Sequence, residues 1–180
     1  MVFAHDIFVF LNSQLHPMTW YWVALIVLAT FWAMEYVAWF THKYLMHGLL
    51  WFLHEDHHVK EPGFFEKNDA FFLIFAIPSW LCIMLGMMNN YWISVSIGAG
   101  IAVYGFAYFL VHEVWIHRRF TWFKNTNSLY LAAVLRAHKM HHKHLGKQPG
   151  ESFGMLIIHP KYWRQEVEAR KKQKARLAKA

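Results

Sequence analysis

A single cysteine, Cys82, is all the thiol chemistry the chain offers. That excludes an internal disulfide, a cysteine zinc ribbon and a cysteine-held iron–sulfur cluster; within its apolar run Cys82 reads as packing. Glycine-rich nucleotide loops are missing too, since neither GxGxxG nor GxxxxGK[ST] occurs, so no motif marks a bound nucleotide. Any redox chemistry must therefore draw its electrons from another protein. Cations are absent from two long stretches, residues 1–42 and 68–117, and all eighteen Lys and Arg fall in 43–67 or 118–180.

What fills those stretches is apolar. Hydrophobic residues make up 57% of the 180 and aromatics 19%, more than a water-soluble domain of this size can hide. The mean hydropathy is nevertheless only +0.18, because polar residues are concentrated between apolar blocks. Three blocks, 18–40, 70–88 and 91–111, each approach the ~20 residues that a membrane-spanning helix needs. Asn89-Asn90 reads as a tight turn that makes the last two a hairpin. A shorter apolar piece, 129–135, predicts a partly buried or re-entrant helix. Residues 1–16 read as an interfacial helix rather than a signal peptide, since no basic segment precedes them.

With three spans, both cation-bearing regions fall on one side, which the positive-inside rule makes cytoplasmic. The expectation is an all-α polytopic membrane protein with three to four transmembrane helices and a histidine-rich two-metal site on the cytoplasmic side. Residues 1–160 would form one membrane-embedded domain and 161–180 a basic tail, with eight basic residues against Glu166 and Glu168. The tail suits anionic lipid headgroups or, alternatively, an acidic electron donor. Gly98, Gly100, Ala102 and Gly105 predict close helix contact along the third span.

Fourteen histidines are the outstanding excess. Ten form a repeated pattern: His42 and His47; His54, His57 and His58; His112 and His117; His138, His141 and His142. In each triplet the i, i+3, i+4 spacing puts three imidazoles on one helical face. Residues five apart are separated by roughly 140° on an ideal α-helix, so each pair is expected to straddle a helix end or to serve different metals. All four groups meet at one membrane face, and ten imidazoles exceed the capacity of one ion, which points to two. Imidazole suits Zn, Fe, Cu and Ni alike; two irons with open positions, able to activate O2, best explain a ligand-rich site beside a hydrophobic pocket. His5 and His16 belong to the far side. His144 and His159 lie off the pattern and read as solvated or capping residues. Glu35, seven residues before His42 in the first span, reads as a carboxylate partner to a ligating histidine, with a purely structural role as the alternative.

Several segments carry a resemblance: Glu35 with Thr41-His42-Lys43-Tyr44-Leu45-Met46-His47-Gly48, then Trp51-Phe52-Leu53-His54-Glu55-Asp56-His57-His58, His112–His117 with Arg118-Arg119, and Arg136-Ala137-His138-Lys139-Met140-His141-His142. Over about residues 31–160 the chain resembles the bacterial β-carotene hydroxylases, a branch of the fatty acid hydroxylase superfamily. One departure is Glu113, where the family often has Asp. The resemblance implies a non-haem di-iron enzyme that hydroxylates C3 of each β-ionone ring, taking β-carotene through β-cryptoxanthin to zeaxanthin with O2 and reduced ferredoxin. It also implies a bacterial inner-membrane location, a carotenoid and the lipid bilayer as partners, no nucleic acid, and zinc as a possible replacement for iron during purification. The competing readings are a fatty-acid or sterol hydroxylase or desaturase, a zinc protease on the HExxH of His54–His58 with Glu55 as base, a b-type haem protein, and a metal transporter.

Overall fold

The computed structural model describes residues 18–59, 62–120, 122 and 125–179. Among them no strand occurs, and three helical spans are long and apolar enough to cross a membrane: Trp20–Leu49, Lys67–Met88 and Trp92–Ile116. Only 11%, 17% and 22% of their apolar windows are buried within the chain, so the rest of that surface needs lipid. Trp20, Trp32, Phe72, Trp80 and Phe106, each more than half exposed, line that outer surface.

Helix α1 (Trp20–Phe40) leads directly into a wider helical stretch, Thr41–Leu49, kinked at Gly48 (φ -120°, ψ -110°), before the chain turns into α2 (Trp51–His58). A reciprocal cap between Glu66 and Asp69 then starts α3 (Ala70–Met88) through a short 3-10 turn. The Asn89-Asn90 turn follows, with Asn90 at φ 54°, a left-handed conformation that Asn tolerates better than most residues. Helix α4 (Trp92–Phe109) returns and widens over Leu110–Ile116. It packs between α1 and α3.

Close approach in this bundle uses two of the four small residues singled out above. A Cβ on Gly98 would lie 2.7 Å from the Ser79 carbonyl, and one on Gly100 would lie 2.6 Å from Thr30 Cβ. Gly98 thus lets α4 meet α3 and Gly100 lets it meet α1, with Ser79 Oγ donating to Gly98 O at 2.7 Å. Gly105 faces open space and Ala102 is exposed; neither is at a helix contact.

Helix α5 (Leu129–His141) is capped by Ser128, whose hydroxyl accepts from Leu131 N. Its thirteen residues reach about 20 Å, short of the ~30 Å hydrocarbon core, so it is not a fourth span. A connecting strap, 142–159, leads to α6 (Pro160–Leu177). The basic tail is thus a helix lying on α5, anchored by buried Tyr162 and by Arg136–Glu166 at 2.7 Å. His159 caps it, its Nδ1 accepting from Lys161 N. Residues 1–16, with His5 and His16, lie outside the described residues.

Candidate metal centre

The two widened helical stretches decide how the histidine pairs point. Where the backbone bonds i to i+5, residues five apart return to the same side of the helix. The amide of His117 donates to His112 O at 2.9 Å in this way, and His42 and His47 lie within the equivalent stretch of the first span. The second pair does straddle a helix end, with His117 just past Ile116, whereas His42 and His47 lie within one stretch; neither pair is divided between the two histidine groups. Wide turns of this kind recur at functional sites because they re-aim side chains.

Nine of the ten patterned histidines form two groups whose ligand nitrogens lie within 4.8 Å of one another. Centre A gathers His42, His47, His54, His58 and His141; centre B gathers His57, His112, His117 and His138. The tenth, His142, stacks on His58 with ring centroids 4.5 Å apart and lies equally near His138. Each triplet shares a face but is divided between the centres. The first pair, with His54 and His58, builds centre A and sends His57 across to B. The second pair, with His138, builds centre B and sends His141 across to A. In this two-fold arrangement His142 is the counterpart of His58, and among the described residues these are the two histidines whose buried Nε2 has no hydrogen-bond partner.

Hydrogen bonds fix which nitrogen faces inward. Nδ1 of His42, His47, His58 and His141 donates to the carbonyls of Phe153, Lys147, His144 and Glu151, each at 3.0 Å. Nδ1 of His54 donates to Asn68 Oδ1 at 2.7 Å, that of His57 to Glu66 at 2.9 Å, and that of His112 to Glu113. A carbonyl only accepts, so Nδ1 holds the proton and Nε2 of the neutral ring is a bare lone pair. Yet Nε2 of His42 faces Nε2 of His54 at 3.2 Å, as His47 faces His141 and His57 faces His112. Two bare lone pairs at that distance repel unless a cation lies between them. A metal about 2.0–2.1 Å from each nitrogen sets neighbouring ligands roughly 3 Å apart, so the donor set fits bound metal.

Burial keeps His54, His57, His58, His138, His141 and His142 neutral. It lowers His54 to about 3, His58 to about 4 and His141 to about 2, with neighbouring imidazoles adding to the effect. His57, His138 and His142 are lowered for the same two reasons. The sign for stability follows. Below pH 6.5 the unfolded chain takes protons that folded His54 and His141 refuse, so stability is lost as pH falls. The slope is about 1.4 kcal/mol per pH unit for each of the two. Metal-free protein should therefore melt progressively lower from pH 7 to pH 5 in a thermal scan; a flat profile would contradict neutral buried rings.

The supports of the two centres differ. Four of centre A's five ligand candidates lean on backbone carbonyls of the strap, and the remaining one on Asn68. Carboxylates support His57 and His112 of centre B. Arg119 braces that side, bonding Glu113 at 2.9 Å and Asp69 at 2.7 Å. Glu113 thus reaches its histidine despite the extra methylene relative to Asp.

Glu35 is corrected as well. It is 3% exposed inside the first span, but its hydrogen bonds come from the strap and from Tyr104 on α4. Oε1 accepts from the amides of Met155, Leu156 and Ile157 at 2.8–3.0 Å, and Oε2 from the Tyr104 hydroxyl at 2.8 Å. It pins the end of the segment that supplies four carbonyls to centre A. Asn68 and Glu66 escaped the sequence reading, though the polar run 66–69 just before an apolar span was a signal. The strap carbonyls left none, because every residue has one.

Glu55 is exposed while His54 and His58 are buried, so it does not face the centre as a water-activating base must. The clusters lie at span ends instead of mid-membrane, and two groups of four or five imidazoles are not the single axial pair of a b-type haem.

Comparison with known proteins agrees with this geometry. Residues 26–159 match the family model described as Fatty acid hydroxylase. The β-carotene hydroxylase of Pantoea ananas is 42% identical over 143 residues, 79% of this chain and 81% of the relative. That of Pseudescherichia vulneris is 40% identical over 74% of this chain and 75% of the relative, and that of Paracoccus sp. (strain PC1) 34% over 76% and 84%. No solved structure is a significant match. The chain belongs to the fatty acid hydroxylase family.

Proposed function

We propose that this protein is a carotenoid 3-hydroxylase, acting on the β-ionone rings of β-carotene through a two-iron centre held by His42, His47, His54, His58 and His141 on one side and His57, His112, His117, His138 and His142 on the other. The observation that carries the metal reading is the set of facing, unprotonated Nε2 atoms. The substrate reading rests on the names of the relatives and on a site placed where apolar spans end. Bound iron would supply O2 activation. The protein's own residues hold seven of the imidazoles in one tautomer and brace them through the strap and the Arg119 carboxylate network, and burial keeps His54, His58 and His141 neutral. Residues 1–160 act as one membrane-embedded domain, and 161–180 as a basic tail.

Inserting one oxygen atom of O2 into a ring C–H consumes two electrons and two protons and releases water. A reduced ferredoxin-type carrier supplies the electrons, approaching the face that holds the cations, which the positive-inside rule assigns to the cytoplasm of a bacterial inner membrane. The carotenoid enters from the bilayer, one ring at a time, giving a monohydroxylated intermediate before the dihydroxy product. Purified enzyme given β-carotene, O2, ferredoxin and its reductase should form both in sequence, and omission of the carrier should stop turnover. Glu55→Gln should keep most of the rate. Unchanged carotenoid beside a hydroxylated fatty acid or sterol in the complete system would reassign the substrate within the family.

A further inference from the structure

On the side of α5 away from the histidines, a cleft of about 730 Å³ opens between α5, α6 and residues 125–127. Arg118, Arg136, Lys139, Arg170 and Lys174 line it, against one carboxylate, Glu166. Glu166 is already engaged by Arg136 at 2.7 Å and Arg170 at 3.3 Å. Lys139 and Lys174 are exposed and make no ion pair among the described residues. The cleft therefore holds two cations, Lys139 and Lys174, that no described carboxylate neutralises.

One wall of the cleft is shared with a second cavity of about 230 Å³. Trp115, Asn125 and Thr126 border both, and the second is otherwise lined by Leu110, Val111 and Leu131. Leu110 and Val111 belong to the end of the third span. A cationic basin thus lies next to an apolar slot beside the end of the third span. The matching ligand has a phosphate next to the root of an acyl chain. We propose that this cleft is a binding site for an anionic phospholipid, its headgroup phosphate among Arg118, Arg136, Lys139, Arg170 and Lys174 and the start of its chain against Leu110, Val111 and Leu131.

Chemistry narrows the occupant. A choline headgroup would bring a like charge into a basin with five cations and one carboxylate. Free phosphate would leave the apolar slot unused. A folded acidic protein presents its charge on a convex face, whereas this site is concave and sized for a small molecule. Basic pockets beside membrane helices take anionic headgroups on the same electrostatic grounds. The bound lipid would bridge α6 to α5, the helix that carries His138 and His141. The proposal does not depend on the metal or on the substrate.

The test is lipid retention by the full-length, metal-loaded protein in mild detergent, read by native mass spectrometry during titration with phosphatidylglycerol. Wild type should retain one phosphatidylglycerol, and phosphatidylcholine should bind far more weakly. The double variant Lys139→Gln/Lys174→Gln should bind phosphatidylglycerol about thirtyfold more weakly. The double variant Lys171→Gln/Lys172→Gln removes the same charge from α6 outside the cleft and should bind as wild type does; thermal scans would check that both stay folded. Equal weakening in the two variants would overturn the site in favour of diffuse surface attraction. Full displacement by an equal concentration of inorganic phosphate would overturn the lipid in favour of a free anion. If the cleft variant keeps its lipid but loses salt-sensitive binding of an acidic ferredoxin, the cleft docks a protein and the proposal fails.

Discussion

Replacing His57 or His141 by Ala is expected to cut hydroxylation by about a hundredfold or more, since loss of a residue that only supports a metal ligand already costs about 10–100-fold. These two histidines each leave the half of the pattern they belong to and complete the centre built by the other half. His57 stands on α2 with two candidates for centre A, yet its Nε2 is 3.2 Å from that of His112. His141 stands on α5 beside centre B, yet its Nε2 is 3.2 Å from that of His47. Loss of either leaves a buried lone pair with nothing to bind. It also removes one of the two ties that hold the centres in a fixed relation. Bound metal should fall toward one ion per chain in each variant. His144→Ala is the matched control: only the backbone carbonyl of His144 is used, by His58 at 3.0 Å, so activity should be near that of wild type. Full activity in both His57→Ala and His141→Ala would end the two-centre reading.

Glu35→Ala should be nearly as damaging, although Glu35 touches no patterned histidine. Its carboxylate serves four donors, three strap amides and the Tyr104 hydroxyl. Hydrogen bonds to charged groups contribute about 1.5–3 kcal/mol each, so removal leaves several kcal/mol of buried donors without an acceptor. The strap would then loosen, and with it the carbonyls that orient His42, His47, His58 and His141. Melting should drop by many degrees, and metal loss should concentrate in centre A, whose supports come from the strap, while the carboxylate-braced centre B holds its ion longer. Glu35→Gln keeps a carbonyl oxygen for the amides and should recover much of the occupancy. An alanine variant with unchanged melting and metal content would refute the pinning role.

Two kinds of information in this fold differ in how far the sequence exposes them. Apolar run length marked the three spans, and i, i+3, i+4 spacing marked the triplets, because both depend only on helix geometry and burial. The pairs were harder. Whether His42 and His47 share a face depends on a switch from i+4 to i+5 bonding, which the packing of the widened turn decides and residue identity does not. Division of a triplet between two centres needs the position of the opposite half of the chain. Support from strap carbonyls is invisible in a string of letters, since Lys147, Glu151 and Phe153 contribute only backbone. Glu35 was rightly singled out as a costly buried carboxylate, but its partner lay 120 residues away in the strap and could not be named.

Metal content distinguishes two centres from one. Protein purified in mild detergent after loading with iron under anaerobic conditions should hold two ions per chain, iron and any zinc counted together. Zinc replacing iron at an imidazole site would change the identity and not the sum. The total should be two and should fall toward one in His57→Ala and in His141→Ala. A fully active preparation with a total of one, or with none, would contradict it.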